Sequence, residues 1–320
     1  MKALLLRSPG EFSCTEVPSP QEKKGERVLK VASCAICRTD AKICRDGHRD
    51  LVLPRIPGHE FCVFDEAKKK LYAVWPGGAC GTCESCLGGA ENLCPEMRIC
   101  GFHRDGGFAE YVSVPEKSLI PAPGSMPQSL VCLAEPLACV LNALSKADIK
   151  SRETLIVGAG PLGLMAAVAV RTLGGKALLL ENNPEKVHKC AAFCEAAKIN
   201  MTREVPRGGF QVSINAASGI TPLSSALGAL RPRGSFIFFS GLGGGDSVPA
   251  KLFNDFHYRE LNLIGAYGCT RAGMEEALQI LSSEPSLFSL LIEKKIALEE
   301  LPDLIPELFT GMNFKIIVEF

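Results

Sequence analysis

Four cysteines crowd one short stretch of the chain: Cys80, Cys83, Cys86 and Cys94, spaced C-x2-C-x2-C-x7-C. The segment that carries them, Gly77 to Cys94, is glycine-rich and has no hydrophobic period, so it is a loop that needs a staple. Four thiolates close enough for one tetrahedral ion make a closed, structural zinc site. An iron–sulfur cluster also takes four cysteines, but this spacing matches the ferredoxin runs less well. A second set is dispersed and mixes ligand types: Cys37 in CAICRTD, His59-Glu60 in PGHE and Glu135 in AEPLAC. One thiolate, one imidazole and a carboxylate leave a zinc position open for water or substrate, which catalysis needs. Taken singly, Cys37 also reads as core, His59 as a turn residue and Glu135 as a solvated helix acid. Spacing alone does not bring them together.

A third stretch, Leu155 to Glu181, runs strand, glycine turn, helix, strand, acid. Gly158-Ala159-Gly160-Pro161-Leu162-Gly163 follows the apolar Leu155-Ile156-Val157 at once. In a dinucleotide fold the first glycine allows the tight turn, the second admits a pyrophosphate and the third lets helix pack on strand. Pro161 suits the first helical turn, where its missing N–H costs nothing. The helix N-terminus then offers free N–H groups and partial positive charge to phosphates. Glu181, about twenty residues past the turn, is placed to hold the adenine ribose diol. With the neutral Asn182 and Asn183 beside it and Lys186 a helical turn away, it predicts NAD over NADP.

The elements that must position these groups fall into two kinds. Up to about residue 121 the chain alternates in short strands, beginning with a hairpin across Ser8-Pro9-Gly10. From Thr154 strands alternate with helices, which implies a parallel sheet covered on both faces. The tail after Arg271 reads as helix, strand Ile292 to Ala297, a single helix Leu298 to Phe309, and strand Phe314 to Val318, rejoining the first unit.

The chain has 320 residues, enough for about two domains by the usual size prior. Its 35 basic and 35 acidic residues cancel, which argues against a nucleic-acid partner. Arg98 and Arg104 near the cysteine loop are not a basic patch. MKALLLR has too few apolar residues for a signal peptide, and no run suits a membrane span. Fifteen cysteines with no export signal suggest reduced thiols in the cytoplasm, some of them on zinc, rather than disulfides. Cys132, Cys139, Cys190 and Cys194 lie in apolar helical patterns and read as inert core.

Taken in order, CAICRTD, PGHE, the Cys80–Cys94 lobe with GGFAEYV after it, and VGAGPLG resemble the zinc-dependent medium-chain dehydrogenases, the alcohol, sorbitol and threonine dehydrogenase superfamily. AEPLAC and GAYGCTRAGMEEAL resemble its polyol and threonine branch. The resemblance implies a GroES-like β-rich catalytic domain at 1–140 and 267–320 around a Rossmann domain, a doubly wound parallel sheet, at 141–266. It implies zinc on Cys37 and His59, completed by Glu60 or Glu135 directly or through water, with a second, structural zinc on the four cysteines. It also implies that zinc polarises an alcohol, that Thr39 relays its proton, and that hydride passes to NAD held at Gly158, Gly160, Pro161, Leu162, Gly163 and Glu181. Arg38 stands where some alcohol dehydrogenases place an arginine on the cofactor phosphate. Lys42 stands where many relatives have a histidine that ends the relay, and the segment between Glu60 and Cys80 is shorter than usual. The expected substrate is a small-molecule secondary alcohol: a polyol, sugar derivative or hydroxy-amino acid. A primary-alcohol or aldehyde reductase is the runner-up, and a catalytically silent nucleotide-binding relative belongs to a different class. By analogy alone, a homodimer or homotetramer is expected.

Overall fold

The computed structural model describes residues 1–243 and 245–320. The chain folds into two compact units, one of Met1–Ala138 with Cys269–Phe320, the other of Cys139–Gly268.

The first unit is built on a seven-stranded sheet. Its central path runs Ile292–Ile296, Lys315–Glu319, Glu26–Ala35, Glu60–Asp65, Lys70–Val74, Leu119–Pro121, and Tyr111–Pro115 also pairs with Glu26–Ala35. Every pairing is antiparallel except that of the two tail strands, which run parallel. A separate hairpin, Lys2–Ser8 with Glu11–Glu16, packs Leu4 and its neighbours into the same core as Val31, Phe61, Phe108 and Val318. The tail strands thus complete the sheet that the first third of the chain begins.

The second unit is a six-stranded parallel sheet in the order Asn200–Thr202, Lys176–Leu180, Glu153–Val157, Phe210–Asn215, Leu230–Phe238, Asn262–Gly265. Strand order reverses beside Glu153–Val157, the switch point where doubly wound sheets bind ligands. The helices Pro161–Thr172 and Ile220–Gly228 lie against the sheet, and Leu223, Ala226 and Leu227 join Leu155, Val157 and Phe236 in its core. Gly163 through Val170 are all buried, which alanine-rich side chains permit because they let the helix approach the strands closely.

Four elements differ from the sequence expectation. Leu298–Phe309 is not one helix but a 3-10 turn Leu298–Glu300, a single α-turn Leu301–Leu304 and a 3-10 stretch Ile305–Thr310. Pro302 and Pro306 each remove an N–H from the helical ladder. Leu298, Leu301, Ile305 and Leu308 still bury one face, so the apolar spacing was right and the hydrogen bonding was not. Leu130 to Leu144 reads in the sequence as one helical pattern, and the structure has two helices there, Gln128–Val131 and Ala134–Leu144. The strand Asn200–Thr202 and the helix Ala250–Tyr258 had no reading at all; the first is three residues long and the second interleaves polar residues with Phe253, Phe256 and Tyr258.

Candidate functional site

The helix Arg38–Asp46 begins on Cys37 as its N-cap. The backbone N–H of Cys37 donates to Asp40 Oδ2 at 2.9 Å, and the Cys37 sulfur accepts the N–H of Thr39 at 3.4 Å. Antiparallel register sets Ala35 opposite Glu60, so the end of one strand meets the start of the next. Cys37 therefore comes to His59-Glu60 across only two further residues. A sulfur of Cys37, a ring nitrogen of His59 and an oxygen of Glu60 lie within 4.8 Å of one another.

Asp40 is the residue the sequence reading passed over. It is buried, and its Oδ1 sits 3.2 Å from His59 Nδ1 while also accepting the Gly58 N–H at 3.3 Å. An Nδ1–H given to Asp40 fixes the tautomer and leaves Nε2 as the ligating nitrogen. Burial disfavours the imidazolium, but the charge of Asp40 and then Cys37 outweigh it and hold the ring well above the ordinary histidine value. A pocket that favours positive charge at this point suits a divalent cation. The capping position of Asp40, three residues after Cys37, is the signal that would have found it.

Lys315 was also missed. At the start of its strand it is buried, and its Nζ donates to both oxygens of Glu60, 2.6 Å from Oε1. Burial lowers its pKa, but the charges of Glu60 and Cys37 overcome that and keep the ammonium above the usual lysine value. A lysine heading the run KIIV gives no sequence signal beyond an ordinary solvated strand end.

Glu135 is the expected alternative to Glu60 as the carboxylate that completes the set, directly or through water. It is buried at the start of Ala134–Leu144, with its carboxylate within 4.8 Å of the Cys269 sulfur, and its charge acts on the same Lys315 ammonium that Glu60 holds. The helix that carries it starts beside the segment where the chain re-enters the first unit. Thr39 is half-buried, whereas Arg38 and Lys42 are exposed on the same helix.

The four cysteines of the lobe converge. Cys80 and Cys86 sulfurs are 3.9 Å apart, Cys83 and Cys86 3.5 Å, Cys80 and Cys94 3.6 Å. These are too long for disulfides, whose sulfurs stand about 2.05 Å apart. They match the edge of a tetrahedron with zinc–sulfur bonds of about 2.3 Å, which is about 3.8 Å. The N–H groups of Thr82 and Cys83, then the Thr82 hydroxyl, draw the Cys80 thiol down to about 6, toward the thiolate that a metal takes.

In the second unit, Gly158 has φ +105°, and a Cβ there would stand 2.7 Å from the Ala217 methyl. A Cβ on Gly163 would stand 1.9 Å from Gly158 O, so helix and turn touch. Gly160 has nothing within 4 Å of its Cβ position, and Pro161 opens the helix. The turn is closed where packing requires it and open where a phosphate would approach. Glu181 is buried at the end of the second strand, with Oε2 accepting Ala159 N–H at 3.1 Å and Oε1 accepting Asn183 N–H at 3.0 Å. Lys186 Nζ is 3.8 Å from Oε2. The sequence places Lys186 one helical turn from Glu181, and the structure puts it within ion-pair range of the carboxylate.

The buried cysteines expected to be inert hold that description for Cys132, Cys190 and Cys194, whose thiols burial pushes up. Cys139 is only partly buried. Among the described residues no helix is long and apolar enough to cross a membrane.

Comparison with known proteins agrees with this geometry. Residues 23–124 match the alcohol dehydrogenase GroES-like domain family. The chain is 28% identical to D-altritol 5-dehydrogenase of Agrobacterium fabrum over 94% of both chains. It is 30% identical to L-galactonate-5-dehydrogenase of Escherichia coli over 84% of both. Among solved structures, a protein of Sinorhizobium meliloti described as a zinc-binding dehydrogenase, with NADP bound, superposes with TM-score 0.89 at 27% identity, covering 100% of this chain and 99% of that one. A zinc-type donor set, a nicotinamide-type turn and relatives of this kind over nearly the whole length agree, and the chain belongs to the zinc-dependent medium-chain dehydrogenases.

Proposed function

We propose that this chain oxidises a secondary hydroxyl of a polyol, sugar derivative or hydroxy-amino acid, with NAD as the preferred acceptor and two zinc ions per chain. The observation that carries the reading is the convergence of Cys37, His59 and Glu60 next to Thr39. A thiolate and an imidazole of fixed tautomer would provide two firm ligands for the catalytic ion, with Glu60 or Glu135 a third, directly or through water. Cys80, Cys83, Cys86 and Cys94 would hold the other ion.

Bound zinc supplies a Lewis acid that lowers the pKa of an alcohol, and the nicotinamide supplies the hydride acceptor. Everything else falls to the chain. Asp40 orients His59, and the Asp40–Cys37 cap fixes the first helical turn, so Thr39 is held two residues from the sulfur. From there its hydroxyl would take the proton from the substrate and pass it outward. Exposed Lys42 stands where the outward path would end. Gly158 to Gly163 would hold the pyrophosphate and Glu181 would take the ribose diol; Arg38 is offered as a phosphate cation by the resemblance alone. The domain bounds proposed are 1–140 with 267–320 for zinc chemistry and 141–266 for the nucleotide.

Polyol substrates are supported by the names of the relatives matched over most of the chain, which act on altritol and galactonate. A homodimer or homotetramer is supported by the edge strand Asn262–Gly265, which pairs on one side only and carries exposed Leu263. The cytoplasm is the compartment proposed, on the strength of cysteines that are all free among the described residues. The test is a panel of polyols, sugar acids, hydroxy-amino acids and primary alcohols, with reduced nicotinamide followed by absorbance. Turnover confined to primary alcohols would sink the secondary-hydroxyl reading.

A further inference from the structure

The lobe from Gly77 to Cys94 is tied by three contacts to the residues where the chain re-enters the first unit, Cys269 to Arg271. Glu91 opens the 3-10 turn Glu91–Leu93, and its carbonyl accepts the N–H of Cys94 at 3.1 Å, so one of the four cysteines closes the turn. From there the Glu91 carboxylate accepts the N–H of Arg271 at 2.5 Å. Arg271 is the first residue of the helix Arg271–Ser283, whose opening N–H groups have no partner inside the helix and favour an acid. Lys117 makes the second tie: its Nζ donates to Ala79 O at 2.5 Å, and its carbonyl accepts Arg271 Nε–H at 2.8 Å. Trp75 makes the third. A Cβ on Gly77 would stand 2.5 Å from the Trp75 ring, so the start of the lobe packs directly on the indole, whose Nε1–H donates to Cys269 O at 3.0 Å. Cys269 in turn stands beside a carboxylate of the catalytic corner, its sulfur within 4.8 Å of Glu135. The charge of Glu135 acts on the buried Lys315 ammonium that holds Glu60. Contiguous hydrogen-bonded and packed groups of this kind are what carries coupling between two sites.

We propose that Glu91 is a positioning residue for the catalytic corner: with Trp75 it fixes Cys269 to Arg271, these set Glu135, and an ordered lobe thereby raises the metal affinity at Cys37 and His59. The inference rests on the reading of the two cysteine sets as metal sites. A disordered lobe frees the turn that carries Glu91, and the re-entering segment loses its hold at the helix N-terminus. Glu135 then has more than one position, and the carboxylates around Lys315 are less well placed to complete or support the set. The linkage is reciprocal, so metal at Cys37 and His59 steadies the lobe in return.

The experiment loads wild type, Glu91→Gln and Glu91→Ala with zinc and measures the Kd of each site by competition with a chromophoric chelator, with elemental analysis and a melting curve for each protein. Cys37→Ser protein identifies the Kd that belongs to the lobe. In Glu91→Gln the amide oxygen still accepts the Arg271 N–H, and the Kd at the Cys37 corner should match the wild type. In Glu91→Ala the lobe keeps its four sulfurs and its zinc, while the Kd at the corner should rise about tenfold, within the ordinary range of coupling between sites. A Glu91 of merely structural importance would lower the melting temperature and leave that Kd where it was, and this result overturns the proposal. If Glu91→Ala does not fold, Trp75→Phe decides, because it removes the indole N–H from Cys269 O and leaves Glu91 and the lobe sulfurs in place. The same rise at the corner is expected there, and an unchanged Kd overturns the proposal. Wild-type protein that holds zinc on the lobe alone would instead remove the two-site reading underneath, and the proposal with it.

Discussion

Lys315, at the start of a tail strand, donates through Nζ to both carboxylate oxygens of Glu60, more than two hundred and fifty residues earlier in the chain. Both side chains are buried. The pair ties the C-terminal strand to the corner where Cys37 and His59 meet, and it gives Glu60 two possible cations, an ammonium and a metal ion. Lys315→Met leaves Glu60 buried without its ammonium, a loss that ordinarily costs about 3–5 kcal/mol. The melting temperature should fall sharply in chelated protein and less in zinc-loaded protein, because the metal substitutes for the missing cation. Equal losses with and without zinc would show that Glu60 does not serve the metal.

Asp40→Asn keeps the shape of the helix cap but weakens the carboxylate that aligns His59. Zinc affinity at the Cys37 site should drop about 10–100-fold, as it does when a carboxylate behind a metal-bound histidine is removed. Competition with a chromophoric chelator measures this directly. Unchanged affinity would mean that the 3.2 Å contact to Nδ1 does not orient the ring.

Thr39→Val removes the hydroxyl at the second helical position while leaving its backbone N–H on the Cys37 sulfur. Turnover should fall by about 10²–10⁴-fold, the usual worth of a positioned proton-transfer group, with cofactor binding nearly intact. A wild-type kcat in this variant would remove Thr39 from the proton path.

The two cysteine sets should fail in different ways. Cys86→Ser disables a lobe with no apolar core of its own, so thermal stability and solubility should fall and activity should follow. Cys37→Ser acts at a corner whose strands are held by their own core, Val31, Phe61 and Val318 among them, so its melting temperature should change little. Elemental analysis should give two zinc ions per wild-type chain and fewer in each variant. A wild type that never holds more than one zinc would show that the sets are not two sites.

Much of this was legible in the residues themselves. The lobe spacing and the strand–glycine–helix run are local, and local patterns survive folding: the sulfurs gather and Gly163 packs on Gly158. Cys37 and His59 needed the family resemblance, because strand register, not spacing, brings them together. Glu135 needed the resemblance too, since its helix places the buried carboxylate beside Cys269 and no spacing in the sequence shows that. Lys315 was invisible because its partner is remote and a lysine at a strand end is ordinarily solvated. The tail helix failed for a third reason: Leu298, Leu301, Ile305 and Leu308 keep a helical period while Pro302 and Pro306 break the hydrogen bonds.

The central claim, that metal held at Cys37 and His59 drives alcohol oxidation by this chain, is tested most directly by assaying wild type and Cys37→Ser side by side. Each is loaded with zinc, shown to bind NAD by calorimetry, and offered a polyol and sugar-acid panel while NADH formation is followed. The account predicts NADH from at least one secondary alcohol with the wild type, its loss on chelation and return with zinc, and none with Cys37→Ser despite bound NAD. Wild-type protein that holds zinc and NAD yet oxidises nothing on the panel, or Cys37→Ser protein that turns over as well as wild type, would contradict it.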